Sequence, residues 1–169
     1  GNEIKIKVIA GEIDGVKALA PPPDSWAARA EAKVTMLLID LAPGASWTLS
    51  AEEAGLNRRL YFYDGNSIQA DGHTLASGTG IHLNSGVDFV IKNTGEKPAR
   101  FLLLQGKPIG EPVAQYGPFV MNTRNELEQA FSDYQKDQFG GWPWENQDQV
   151  HGHRGRFAIH EDGREEEPV

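Results

Sequence analysis

The feature that most limits the fold is a series of short apolar segments with a period of two, each closed by glycine or proline. Ile4, Ile6 and Val8 alternate with Lys5 and Lys7, the pattern of a strand with one face buried. Residues 34–41 form a near-continuous apolar run that stops at Pro43-Gly44, which predicts a strand covered on both faces. Trp47 and Leu49 alternate again, and Leu60 to Tyr63 form a strand ending at Asp64-Gly65. Short β segments recur between Gly72, Gly78, Gly80, Gly86 and Gly95, and residues 87–92 and 99–104 read as two more strands. Many short strands at this spacing, without βα alternation, predict an all-β sandwich or jelly roll. Trp26, Trp47, Phe62 and Phe89 are candidates for its core.

One helix is specified after the strands. Thr123 followed three residues later by Glu126 makes a capping box. Leu127, Ala130, Phe131 and Tyr134 then form one apolar stripe. Gly140-Gly141 is expected to end it. From Gly140 onward the chain carries seven acidic against three basic residues, half of the whole net charge of −8. That stretch predicts an extended acidic tail, with Trp142, Trp144 and Phe157 as its anchors.

Composition removes several classes of function. Hydrophobic residues make up 39% and charged residues 24% of the 169, which is globular composition. With acidic residues in excess and the basic ones scattered, a nucleic-acid backbone would be repelled. No apolar run approaches the roughly 20 residues of a membrane-spanning helix. Without cysteine there is no disulfide, thiolate site or cysteine nucleophile. These features predict a cytoplasmic protein. The chain enters its first strand by Ile4 with no initiator methionine and no signal-type segment, and so reads as a piece of something longer.

Histidines are then the best available metal ligands. His73 and His82 lie in the β body; His151, His153 and His160 lie in the tail. His151-Gly152-His153 would point two rings to one side of a strand, but Arg154 and Arg156 beside it repel a cation, so solvated histidines are expected. His73 after Asp71-Gly72 reads as a turn residue. Glu52-Glu53 cannot flank one bond from adjacent strand positions, and Arg58-Arg59 is too small for a nucleic-acid patch. No nucleophile elbow, P-loop, dinucleotide fingerprint or H-E-x-x-H is present.

From Gly106 the sequence becomes specific. The run Gly106-Lys107-Pro108-Ile109-Gly110-Glu111-Pro112-Val113, the run Tyr116-Gly117-Pro118-Phe119-Val120-Met121-Asn122-Thr123, and the helix through Asp133-Tyr134-Gln135 closely resemble pirin-family proteins. Val8-Ile9-Ala10-Gly11 looks like the opening strand of that family's C-terminal domain, and the tail from Gly140 resembles its bacterial members. The resemblance implies a cupin-type jelly roll, a double-stranded β-helix, with one C-terminal α-helix and an extended tail. It divides the chain into a β-barrel over residues 1–122, a helix packed on it over 123–139, and the tail over 140–169.

The same resemblance implies a two-domain parent, with iron held in the N-terminal cupin by three histidines and a glutamate. Some such proteins have quercetin 2,3-dioxygenase activity, and the mammalian relative is a nuclear transcription cofactor. The cupin motifs can be laid on these strands. From Gly44 the two histidine positions fall on Ser50 and Glu52, and the glutamate on Leu56 or Asn57. From Gly72 the last histidine falls on Leu83, with His82 one position away and facing oppositely. Only Glu52 could ligate, so a metal-free barrel is expected and no catalytic, cofactor-binding or metal residue is assigned. Three functions follow: a structural or binding C-terminal cupin, part of a quercetinase-like iron enzyme, or a module for a small molecule or regulatory partner. The expected partner is the N-terminal cupin, docked through Phe119, Val120 and Met121; an isolated chain would expose that run, self-associate, or cover it with the Trp142–Trp144 segment.

Overall fold

In the computed structural model, which describes residues 3–142 and 155–167, the alternating segments become strands whose inward residues form one core. They are β1 (Ile4–Ala10), β2 (Glu12–Ile13), β3 (Val16–Lys17), β4 (Thr35–Leu41), β5 (Ser46–Leu49), β6 (Asn57–Asp64), β7 (Ser67–Ala70), β8 (His73–Ala76), β9 (Thr79–Leu83), β10 (Phe89–Asn93) and β11 (Ala99–Gly106). Beyond them lie β12 (Ala114–Tyr116), β13 (Phe119–Met121), helix α1 (Arg124–Asp137), β14 (Ala158–Ile159) and β15 (Glu165–Glu166). The chain divides into two compact units, Gly1–Gly110 and Glu111–Val169.

The first unit is a cupin-type jelly roll. A five-stranded sheet runs β1-β4-β11-β6-β9 and a four-stranded sheet runs β5-β10-β7-β8, all pairs antiparallel. Side-chain parity selects the core: Leu37, Ile39 and Leu41 from β4, Leu60 and Phe62 from β6, and Phe101 and Leu103 from β11 face Trp47, Leu49, Ile68 and Ile91 of the other sheet. Phe62 and Phe101, register partners, stack with centroids 5.1 Å apart. Trp47 and Phe62 are core residues as expected, whereas Trp26 and Phe89 are half-buried. Strand β4 departs from the expected double cover: Met36, Leu38 and Asp40 on its outer face are only half-buried, because the five-stranded sheet packs through one face. His73 opens β8 after a two-residue turn in which Asp71 and Gly72 both take positive φ, 46° and 74°, the Asp-Gly hairpin geometry.

In the second unit the hairpin β12–β13 lies against α1. The capping box forms as read: the Thr123 hydroxyl accepts from the Glu126 amide, and the Glu126 carboxylate accepts from the Thr123 amide. Leu127 and Ala130 are buried, while Tyr134 remains 46% exposed. The helix stops before the glycines. Gln138 and Phe139 already take left-handed backbone angles, and the Gln138 amide closes on the Tyr134 carbonyl. In the tail, Phe157 is half-buried, Trp142 is 47% exposed, and β14 and β15 make a short hairpin across which His160 Nε2 meets Glu166 Oε2 at 2.8 Å. Trp144, His151 and His153 lie outside the described residues.

Candidate functional site: a buried guanidinium at the barrel end

Strand parity places one residue of β6 where the sequence reading saw only a charged pair. Arg58, Leu60 and Phe62 share the inward face, and Arg58 is completely buried, whereas Arg59 points out. From the neighbouring strand, Gln105 continues the inward series of Phe101 and Leu103 and is the register partner of Arg58. Arg58 Nε donates to Gln105 Oε1 at 2.6 Å, and Nη1 donates to the Ser50 carbonyl at 3.0 Å. Nη2 lies 3.5 Å from Glu52 Oε1 as an ion pair but makes no hydrogen bond. Gln105 Nε2 donates to the same Glu52 oxygen at 3.2 Å and to the Lys33 carbonyl at 3.4 Å.

The loop that carries Ser50 and Glu52 is fixed from behind. Buried Ser85 donates through Oγ to the Glu53 carbonyl at 2.8 Å and accepts from the Leu56 amide at 3.1 Å. Its carbonyl accepts from the Glu52 amide at 2.7 Å, and Lys107 Nζ lies 3.3 Å from Glu53 Oε1. Burial lowers the Arg58 guanidinium from its ordinary value because the charged form loses hydration; Glu52 opposes that shift.

The motif register gains physical meaning here. Ser50 is bonded to Arg58, Glu52 is ion-paired to it, and Leu83 is its partner across β6–β9. The guanidinium therefore stands beside three of the positions on which the resemblance lays the cupin motifs. Leu83 is buried in the core and His82 is exposed on the outer face, as parity requires. His73 is exposed at the start of β8. This donor set, one cation, one amide, one carbonyl and a single carboxylate, does not fit a transition metal, which needs several converging anionic or imidazole donors. Among the described residues no group of three or more His, Cys, Asp or Glu could hold a metal ion. Arg58 was the residue that sequence reasoning missed, although its two-residue spacing from Leu60 and Phe62 carried the signal.

The residues expected to dock, Phe119, Val120 and Met121, divide as strand geometry dictates. Phe119 and Met121 are half-buried: Phe119 packs edge-on against Phe131 at 4.8 Å and lies 6.1 Å from Tyr134. Val120, on the opposite face of β13, is 57% exposed. No helix among the described residues is long and apolar enough to cross a membrane.

Residues 36–140 match the model of the pirin C-terminal cupin domain. A putative pirin-like protein of Arabidopsis thaliana is 33% identical over 143 residues, covering 81% of this chain and 49% of its own length. A putative quercetin 2,3-dioxygenase of Vibrio cholerae is 41% identical over 83 residues, covering 49% of this chain and 28% of its own. The crystal structure of a quercetin 2,3-dioxygenase from Acinetobacter baumannii superposes with a TM-score of 0.64 at 31% identity, over 80% of this chain and 43% of that one. The chain thus spans half or less of these longer relatives. With the jelly roll, the capped helix and the family match over most of its length, the chain belongs to the pirin family, as a C-terminal cupin domain.

Proposed function

We propose that this domain is a metal-free cupin that serves a two-cupin protein structurally and as a docking half. The observation that carries this reading is Arg58, a fully buried cation beside Ser50, Glu52 and Leu83, three of the motif positions. A divalent ion beside it would meet like charge and lack ligands. Elemental analysis of the tag-free chain, produced with added iron, should return far less than one metal per molecule. Stoichiometric iron that is lost on Glu52→Ala would overturn the proposal.

Where the parent is an oxygenase, as the names of the Vibrio and Acinetobacter relatives favour, its metal chemistry belongs to the half outside this chain. The docking surface on this side is the outer face of β13 around Val120, with Gln115 as its register partner. A solvated valine on a two-stranded hairpin gains from cover. Amide exchange over residues 114–121 should therefore be slower in the full-length parent than in this chain alone. Equal exchange in the two would remove the docking role.

A further inference from the structure

A cavity of about 820 Å³ opens beside the end of β1 and the loop leading to β4, with Glu52 on its lining. Its apolar wall is Ile9, Leu19, Pro21, Pro22 and Val34. Gly11 at its edge has a φ of 79°, and a Cβ there would sit 2.4 Å from the Val34 carbonyl oxygen, so the strand end and the wall are in close apposition.

The charges on this cavity do not balance. Of its two carboxylates, Glu12 pairs with Lys17 at 3.3 Å, and Glu52 is held by Arg58 at 3.5 Å and by Gln105 at 3.2 Å. Two further cations, Arg29 and Lys33, line the same space. Among the described residues neither is ion-paired to a carboxylate. The Arg29 guanidinium lies 5.2 Å from the centroid of the Trp26 ring, and that ring is tied down by its Nε1 donating to the Lys107 carbonyl at 3.2 Å. Ser25 Oγ, also on the lining, is buried without a hydrogen-bond partner, a state that costs stability until something satisfies it. Two exposed cations without a carboxylate partner among the described residues thus line an apolar-walled cavity of a chain whose net charge is −8.

We propose that this cavity binds a small organic monocarboxylate with an apolar body. The carboxylate lies between Arg29 and Lys33, beside Ser25; the body covers Ile9, Val34 and the prolines. Charge-assisted hydrogen bonds supply orientation, and the apolar wall supplies most of the affinity. A carboxylate with an apolar body fits better than phosphate, because phosphate would leave Ile9, Val34 and the prolines uncovered. The site does not depend on the metal content of the barrel, so its failure and that of the metal-free reading are distinguishable.

The test uses the whole labelled chain titrated with hexanoate, acetate, 1-hexanol and inorganic phosphate, followed by amide shifts at Ser25, Arg29 and Lys33. Hexanoate should saturate these shifts and bind at least about tenfold more tightly than acetate, which lacks the body, or hexanol, which lacks the charge. The double change Arg29→Gln with Lys33→Gln should weaken hexanoate by about tenfold or more. Arg124→Gln, on a cavity of the second unit, should leave it unchanged. Hexanol binding as well as hexanoate, phosphate binding more tightly than either, or an indifferent double variant would each overturn the proposal.

Discussion

Arg58→Ala should destabilise the barrel unit by about 3 kcal/mol, read from amide exchange of the β6 and β11 core. Three groups lose a donor or counter-charge at once: Gln105 Oε1, the Ser50 carbonyl and the Glu52 carboxylate. A hydrogen bond from a charged donor contributes roughly 1.5–3 kcal/mol, and a buried acceptor left unmade costs a similar amount. The Glu52 ion pair adds little, since that side chain is 41% exposed and water can replace the guanidinium. The decisive comparison is the double variant Arg58→Met with Gln105→Leu. It removes both members of the buried pair and fills their volume, so most of the loss should be recovered. A cost below about 1 kcal/mol for Arg58→Ala, or no recovery in the double variant, would show that the guanidinium does not hold this end of the barrel together. Because burial lowers the basicity of Arg58, a charged guanidinium costs the native state hydration at any pH where arginine is protonated.

Phe101→Ala should cost still more, about 4 kcal/mol, by the same measurement. Phe101 is fully buried, stacks on equally buried Phe62, and sits on β11, which bonds to both β4 and β6 at the middle of the larger sheet. Truncation leaves a cavity that strands paired on both edges cannot collapse, so the transfer and cavity terms add. Tyr63→Ala on the outer face of β6, where the side chain is 51% exposed, should change stability by less than about 0.5 kcal/mol. A Phe101→Ala loss as small as that of Tyr63→Ala would mean that the inner faces of the two sheets do not form the core described here.

Local signals in the chain determined the strands, the hairpin turn and the start of the helix. Alternation fixes which side of β6 and β11 faces inward, Asp71-Gly72 supplies two residues that tolerate positive φ, and Thr123 with Glu126 closes its own hydrogen bonds within one turn. Each depends on neighbours a few residues away, so each is written in the sequence. The signature runs after Gly106 identified the family for the same reason of contiguity.

Tertiary structure decided what those elements enclose. An arginine in alternating register with Leu60 and Phe62 is not normally read as buried, because an unpaired guanidinium rarely is. It is buried here because Gln105, 47 residues away, and the carbonyl of Ser50 arrive at its donors. Likewise, the apolar run of β4 could not reveal that Met36 and Leu38 would lie on a sheet face with only partial cover, nor could Phe119-Val120-Met121 reveal which side α1 would take. The imbalance at Arg29 and Lys33 is of the same kind. A residue's charge is local, but whether a counter-charge reaches it depends on distances that exist only after the chain has closed on itself.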